Sequence, residues 1–167
     1  MSATAQPQVR ETRLATSGSW TAVTRPLTLA LDGASGVINI GYPFCTAETG
    51  SAETAILRIV FGLQGVLYLQ IGSEQWNFRR GHGNVNLRSA AGQTLSLPSA
   101  RHAEAFMEIG FDPPRAAAAL ASLQTMAQTG GSHIDVLDRR NRVLARFPTH
   151  GMRDMLERAR RCAQPYH

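Results

Sequence analysis

Seventeen arginines, five histidines, two cysteines and no lysine bound the side-chain chemistry open to this chain. Eight of the arginines (Arg139, Arg140, Arg142, Arg146, Arg153, Arg158, Arg160 and Arg161) lie within residues 139–161, against Asp154 and Glu157 alone. That segment carries +6 in a chain of net +5, so the remainder is close to neutral. A guanidinium presents a planar fork of donors suited to carboxylates and phosphates. Codon bias in a GC-rich genome yields the same arginine-only usage more simply. Part of the charge has partners along the chain. Asp154 with Arg158 and Glu157 with Arg161 stand four apart on a helical pattern, Arg153 with Glu157 in the weaker orientation, and Asp135 and Asp138 can serve arginines across a hairpin. Arg139, Arg140, Arg142 and Arg160 are left over as the candidate anion-binding groups. Nucleic-acid binding favours aromatics interleaved with the basic residues, and only Phe147 lies inside the block.

Cys45 and Cys162 stand 117 positions apart, with neither metal-ligand nor C-x-x-C spacing. They are either two buried thiols or one bridge. A bridge closing so long a loop stabilises by roughly 4–5 kcal/mol in the chain-entropy model and requires an oxidising compartment. His82, His102, His133, His150 and His167 show no zinc-binding spacing, although His133 and His150 can approach across the last hairpin. Cys45 lacks a nucleophile setting, and Gly33-Ala34-Ser35-Gly36 lacks the spacing of a serine elbow. Gly81-His82-Gly83 after Arg79-Arg80 reads as a turn rather than a phosphate loop, because no strand–loop–helix context surrounds it. The sequence therefore offers no catalytic set, no metal set and no cofactor motif.

The elements that must position these groups are mostly strands. Residues 1–17 read as a polar, disordered segment, and residues 18–163 as one β-rich domain; 167 residues suffice to bury about 68–70 % of the unfolded surface. Strands are expected at Trp20–Thr24, Leu27–Leu31 and Val37–Ile40, with a hairpin turn at Asp32–Gly36 and a loop from Gly41 to Glu53. Ala55–Phe61 and Val66–Ile71 follow, then Gln75–Arg79, Asn84–Arg88 and Gln93–Leu97. Ser99 can cap a helix over Ala100–Ile109. Asp112, with Pro113 in the first turn and Gly130 at the end, frames a second helix. His133–Leu137 and Arg142–Phe147 form a hairpin around Asp138–Asn141. Met152, Met155, Leu156, Ala159 and Cys162 recur at helical spacing, which turns Cys162 towards the core and makes a bridge to Cys45 sterically sensible. The fold class is mainly β, an antiparallel sandwich or barrel-like α+β domain.

The order from Gln93 onward, with Gly130-Gly131, the strand His133–Leu137, the run Val143 to Gly151 and a short helix ending at Cys162, resembles the invasion-associated locus B family and related type VI secretion accessory proteins of Gram-negative bacteria. Ser19-Trp20-Thr21-Ala22-Val23 is similar to the tryptophan strand that opens their mature domain. The resemblance covers about two-fifths of the chain, and such proteins often carry further early cysteines where this one has only Cys45. It implies an exported β-sandwich-like domain with no catalytic residues to carry over.

No run reaches the roughly 18–20 apolar residues of a membrane span. Ser2 to Pro7 suits a mature start behind an added Met1, with a signal peptide removed. The expectation is a non-enzymatic periplasmic or secreted interaction protein, fastened by Cys45–Cys162, whose partner is a protein or an anionic envelope component. A basic domain binding nucleic acid or another polyanion is the second reading, and a small hydrolase with an unrecognised site the third.

Overall fold

The computed structural model describes residues 11–30, 37–51, 53–76, 81–102 and 106–164. Among these residues ten strands run in chain order as β1 (Thr12–Ser17), β2 (Trp20–Ala30), β3 (Val37–Ser51), β4 (Ala55–Phe61), β5 (Leu67–Gly72), β6 (Gly81–Ser89), β7 (Thr94–His102), β8 (Phe106–Phe111), β9 (His133–Leu137) and β10 (Val143–Pro148). Helix α1 spans Pro113–Thr129 and α2 spans Met152–Ala163. Every pairing is antiparallel, in the order β1-β2-β3-β4-β5-β8-β7-β6-β9-β10. Among the described residues, pairing between β7 and β8 is limited to Arg101↔Glu108 and His102↔Met107, so the sheet divides there into two antiparallel halves. The protein is a mainly-β α+β fold.

Period-2 alternation builds the core. Cys45, Phe61, Leu67 and Phe111 lie in one cross-strand row; Ala22, Ala47, Ile59, Leu69 and Ile109 form the next, and Trp20, Thr49, Leu57, Ile71 and Met107 a third. All of these side chains are buried. The opposite face carries the row Thr21, Glu48, Arg58, Gln70 and Glu108, in which Arg58 Nε donates to Glu48 Oε2 at 3.1 Å and Gln70 Nε2 to Glu108 Oε2 at 2.7 Å. Ala22, Cys45 and Ala47 are small where α2 packs on β2 and β3, and the helix brings Met152, Met155, Leu156 and Ala159 to that seat. Helix α1 covers β5, β7 and β8 with Ala116, Ala119, Leu123 and Met126.

The two ends of the sheet meet at one corner. Trp20, with no solvent exposure, donates from Nε1 to the Pro148 carbonyl at 2.7 Å, and Ser19 N–H donates to the His150 carbonyl at 3.1 Å. Gly18 and Gly151 both have positive φ there, and a side chain on Gly151 would overlap the Ser17 carbonyl.

Several sequence expectations need correction. Thr12–Ser17, inside the segment read as disordered, is β1; as an edge strand it buries little, which leaves it without an apolar signature. Arg25-Pro26 does not separate two strands, because β2 continues through a register shift at Pro26/Leu27 where the missing N–H is tolerated. The loop read over Gly41–Glu53 is mostly β3. Ala100–Ile109 is no helix: β7 runs to His102 and β8 starts at Phe106. Cross-strand pairing of Met107 and Ile109 with Ile71 and Leu69 outweighs the local helix preference. Gly81-His82-Gly83 opens β6 rather than forming a turn. Of the strand expected at Gln75–Arg79, Gln75 lies in a turn and residues 77–79 lie outside the described residues, as do the hairpin turn at Asp32–Gly36 and its serine.

Candidate anion-binding face and the C-terminal clasp

The last hairpin is built around one carboxylate. Asp138 Oδ1 accepts from the N–H groups of Arg140 at 2.8 Å and Arg142 at 3.0 Å, while Asn141 takes the left-handed conformation at φ 59°. Arg142 Nε then donates to Asp138 Oδ2 at 2.8 Å. The backbone donor from Arg142 is the main reason the Asp138 carboxyl sits below its ordinary range. Arg142 is therefore held by Asp138 rather than left over. Arg139 and Arg140 remain exposed in the turn, without a carboxylate partner among the described residues.

Asp135 lies directly opposite two arginines, Arg146 on β10 and Arg88 on β6. It is 5 % exposed, and Arg146 closes a bidentate fork on it, Nε to Oδ1 at 2.7 Å and a terminal nitrogen to Oδ2 at 3.1 Å. Hydrogen bonding from Arg146 lowers the Asp135 pKa against the opposing effect of burial. His133 Nδ1 is 3.1 Å from Ser132 Oγ and its Nε2 is 3.8 Å from Asp135 Oδ2. This brings a serine, a histidine and an aspartate together in the order a nucleophilic hydrolase uses, yet both Asp135 oxygens already accept from Arg146. The histidine–carboxylate separation also exceeds hydrogen-bonding distance. The carboxylate is committed to the sheet rather than to orienting the imidazole.

On α2, Glu157 collects two arginines. Arg160 binds it bidentately at 3.0 and 2.8 Å, and Arg161 Nε donates at 2.9 Å. These bonds, Arg160 first, bring the Glu157 pKa down to about 2. Arg160 is thus paired, contrary to the expectation from spacing. Asp154 accepts from Ser17 Oγ at 3.5 Å, and no ion pair joins it to Arg158 or joins Arg153 to Glu157 among the described residues. Sequence spacing identified the available acids but not which rotamers would reach them.

The cysteines are joined. Cys45, fully buried on β3, and Cys162, near the end of α2, form a disulfide with Cα atoms 6.0 Å apart. The bridge pins α2 across the strands it covers. Among the described residues no group of three or more His, Cys, Asp or Glu is placed to hold a metal ion, and no helix is long and apolar enough to cross a membrane. No family model, curated protein or solved structure matches the chain.

Proposed function

We propose that this chain is a non-enzymatic binding protein of the Gram-negative periplasm or of the secreted fraction, in line with its resemblance to the invasion-associated locus B family. The observation that carries the reading is the Cys45–Cys162 bridge, since structural disulfides persist in oxidising compartments and are rare in the cytosol. The commitment of Asp135 to Arg146 favours binding over hydrolysis. Protein recovered from its native host without reductant, denatured in the presence of maleimide, is expected to gain no label until it is reduced. Full labelling before reduction would overturn the oxidising-compartment reading, and co-fractionation with cytoplasmic markers would do the same.

A second reading, polyanion binding, is favoured by the exposed Arg139 and Arg140 side chains at the β9–β10 tip. Retention on heparin should then fall steeply with salt and weaken in Arg139→Ala/Arg140→Ala. Unchanged retention in that variant rejects the tip as the contact.

A further inference from the structure

Between α1 and α2 runs an open hollow of about 540 Å³, to which α1 contributes Gln124, Thr125 and Gln128 and α2 contributes Arg153, Glu157 and Arg161. A second hollow of about 450 Å³ also touches Arg153 and reaches the start of α2. The volume falls in the range of small-molecule sites, roughly 300–1,000 Å³, but the lining is polar where such sites are mostly apolar. Leu156, almost fully buried, also lines it. The Gln124 and Gln128 amides have no hydrogen-bond partner among the described residues, so each offers both donors and an acceptor to the groove. Thr125 donates to the Ala121 carbonyl and keeps its acceptor capacity.

Arg153 is the decisive side chain. Its partner one turn on, Glu157, is taken by Arg160 and Arg161, which leaves the Arg153 guanidinium exposed at the head of the groove. It also stands at the second position of α2, where a cation opposes the helix dipole and gains nothing for the fold. From Arg153 to Arg161 the groove spans eight residues, about 12 Å along the helix.

We propose that this groove binds an anionic saccharide of two or three residues, with Arg153 taking the carboxylate or phosphate and Gln124, Thr125 and Gln128 reading hydroxyls. A peptide is the poorer fit. The groove has neither the strand edge nor the apolar anchor pockets of most peptide sites, and recognition of an acidic motif calls for a cluster of free guanidinium groups, whereas Arg161 is tied to Glu157 and only Arg153 is left. The proposal deepens the binding reading by naming its ligand class. The thiol assay and the experiment below can fail independently, so the two are judged apart.

Trigalacturonate, titrated into the oxidised full chain and followed by backbone amide shifts, is expected to perturb residues 121–128 and 153–161. Maltotriose, the neutral counterpart, should leave them unmoved. Arg153→Gln should lose at least about tenfold in affinity, the effect of one charge-assisted contact, while its thermal midpoint stays equal or rises. Gln128→Ala should weaken binding with the fold intact, and Arg139→Ala/Arg140→Ala should bind normally. Absence of groove shifts at saturating trigalacturonate, or full affinity in Arg153→Gln, overturns the site. Equal or tighter groove binding of hexaglutamate or inorganic phosphate overturns the saccharide class.

Discussion

Breaking the bridge between Cys45 and Cys162 is the sharpest perturbation of this architecture. The closed loop covers 117 positions, for which the chain-entropy relation gives about 16 cal/mol/K removed from the unfolded state, or about 4.9 kcal/mol at 25 °C. In a domain of this size each kcal/mol moves the thermal midpoint by about 2–4 °C, so opening the bridge should lower it by about 10–20 °C. The assay is urea unfolding of three forms: oxidised protein, reduced protein, and Cys45→Ala/Cys162→Ala. Reduced protein keeps both sulfur atoms and isolates the cross-link, whereas the double variant also removes a fully buried Sγ at position 45. Reduction is expected to cost about 3–5 kcal/mol and to raise the denaturant dependence, because the unlinked chain exposes more surface on unfolding. A difference below about 1 kcal/mol between oxidised and reduced forms would refute the reasoning. It would mean that α2 holds its seat on β2 and β3 through packing alone.

Arg146→Ala should cost about 2–3 kcal/mol in urea unfolding, because it removes both hydrogen bonds from the buried Asp135 carboxylate and leaves it only the fields of His133 and Arg88, and Asp135→Asn only about 1–2 kcal/mol, so the reverse order would defeat the argument. Glu157 is held near pKa 2 by Arg160 and then Arg161, so its contribution is present above its ordinary value of 4.5 and is lost as pH falls towards 2. Its carboxylate is 36 % exposed, and after screening each pair contributes roughly 0.2–1 kcal/mol. Stability curves of wild type and Glu157→Gln should therefore separate above pH 4.5 and converge near pH 2. Gly151→Ala, at φ 88° and against the Ser17 carbonyl, should cost at least about 2 kcal/mol, more than Gly92→Ala. At Gly92, φ is 90° and an added Cβ meets nothing within 4 Å, so equal losses in thermal melts would show that backbone strain alone matters.

The parts of this fold legible in the sequence are those where local chemistry and tertiary packing agree. Asp112, Pro113 and Gly130 bound α1 as their capping chemistry indicates. Asp138 and Asn141 turn the last hairpin, and the α2 stripe leads to Cys162 and its bridge. Elsewhere packing overrides the local signals. Most of β3 reads as a loop in the sequence because its inward residues, Cys45, Ala47 and Thr49, are small enough to admit α2, and their alternation with Thr46 and Glu48 is faint. Phe106, 46 % exposed beside the inward Met107, blurs the period-2 pattern of β8 into something helical. The arginine partners were hidden for another reason. Glu157 has candidates at three, four and minus four residues, and only the folded rotamers decide that Arg160 and Arg161 win and Arg153 does not.

The corner joining Trp20 to Pro148 and Ser19 to His150 has a consequence for biogenesis. The indole of the second strand lacks its acceptor within the fold until the tenth strand arrives, and the seat on β2 and β3 stays bare until α2 is made. A chain emerging from a ribosome therefore carries its first half unfinished through some 130 residues of synthesis. Contacts this distant in sequence slow folding. The same corner that locks the finished molecule is therefore among the last parts of the nascent one to form.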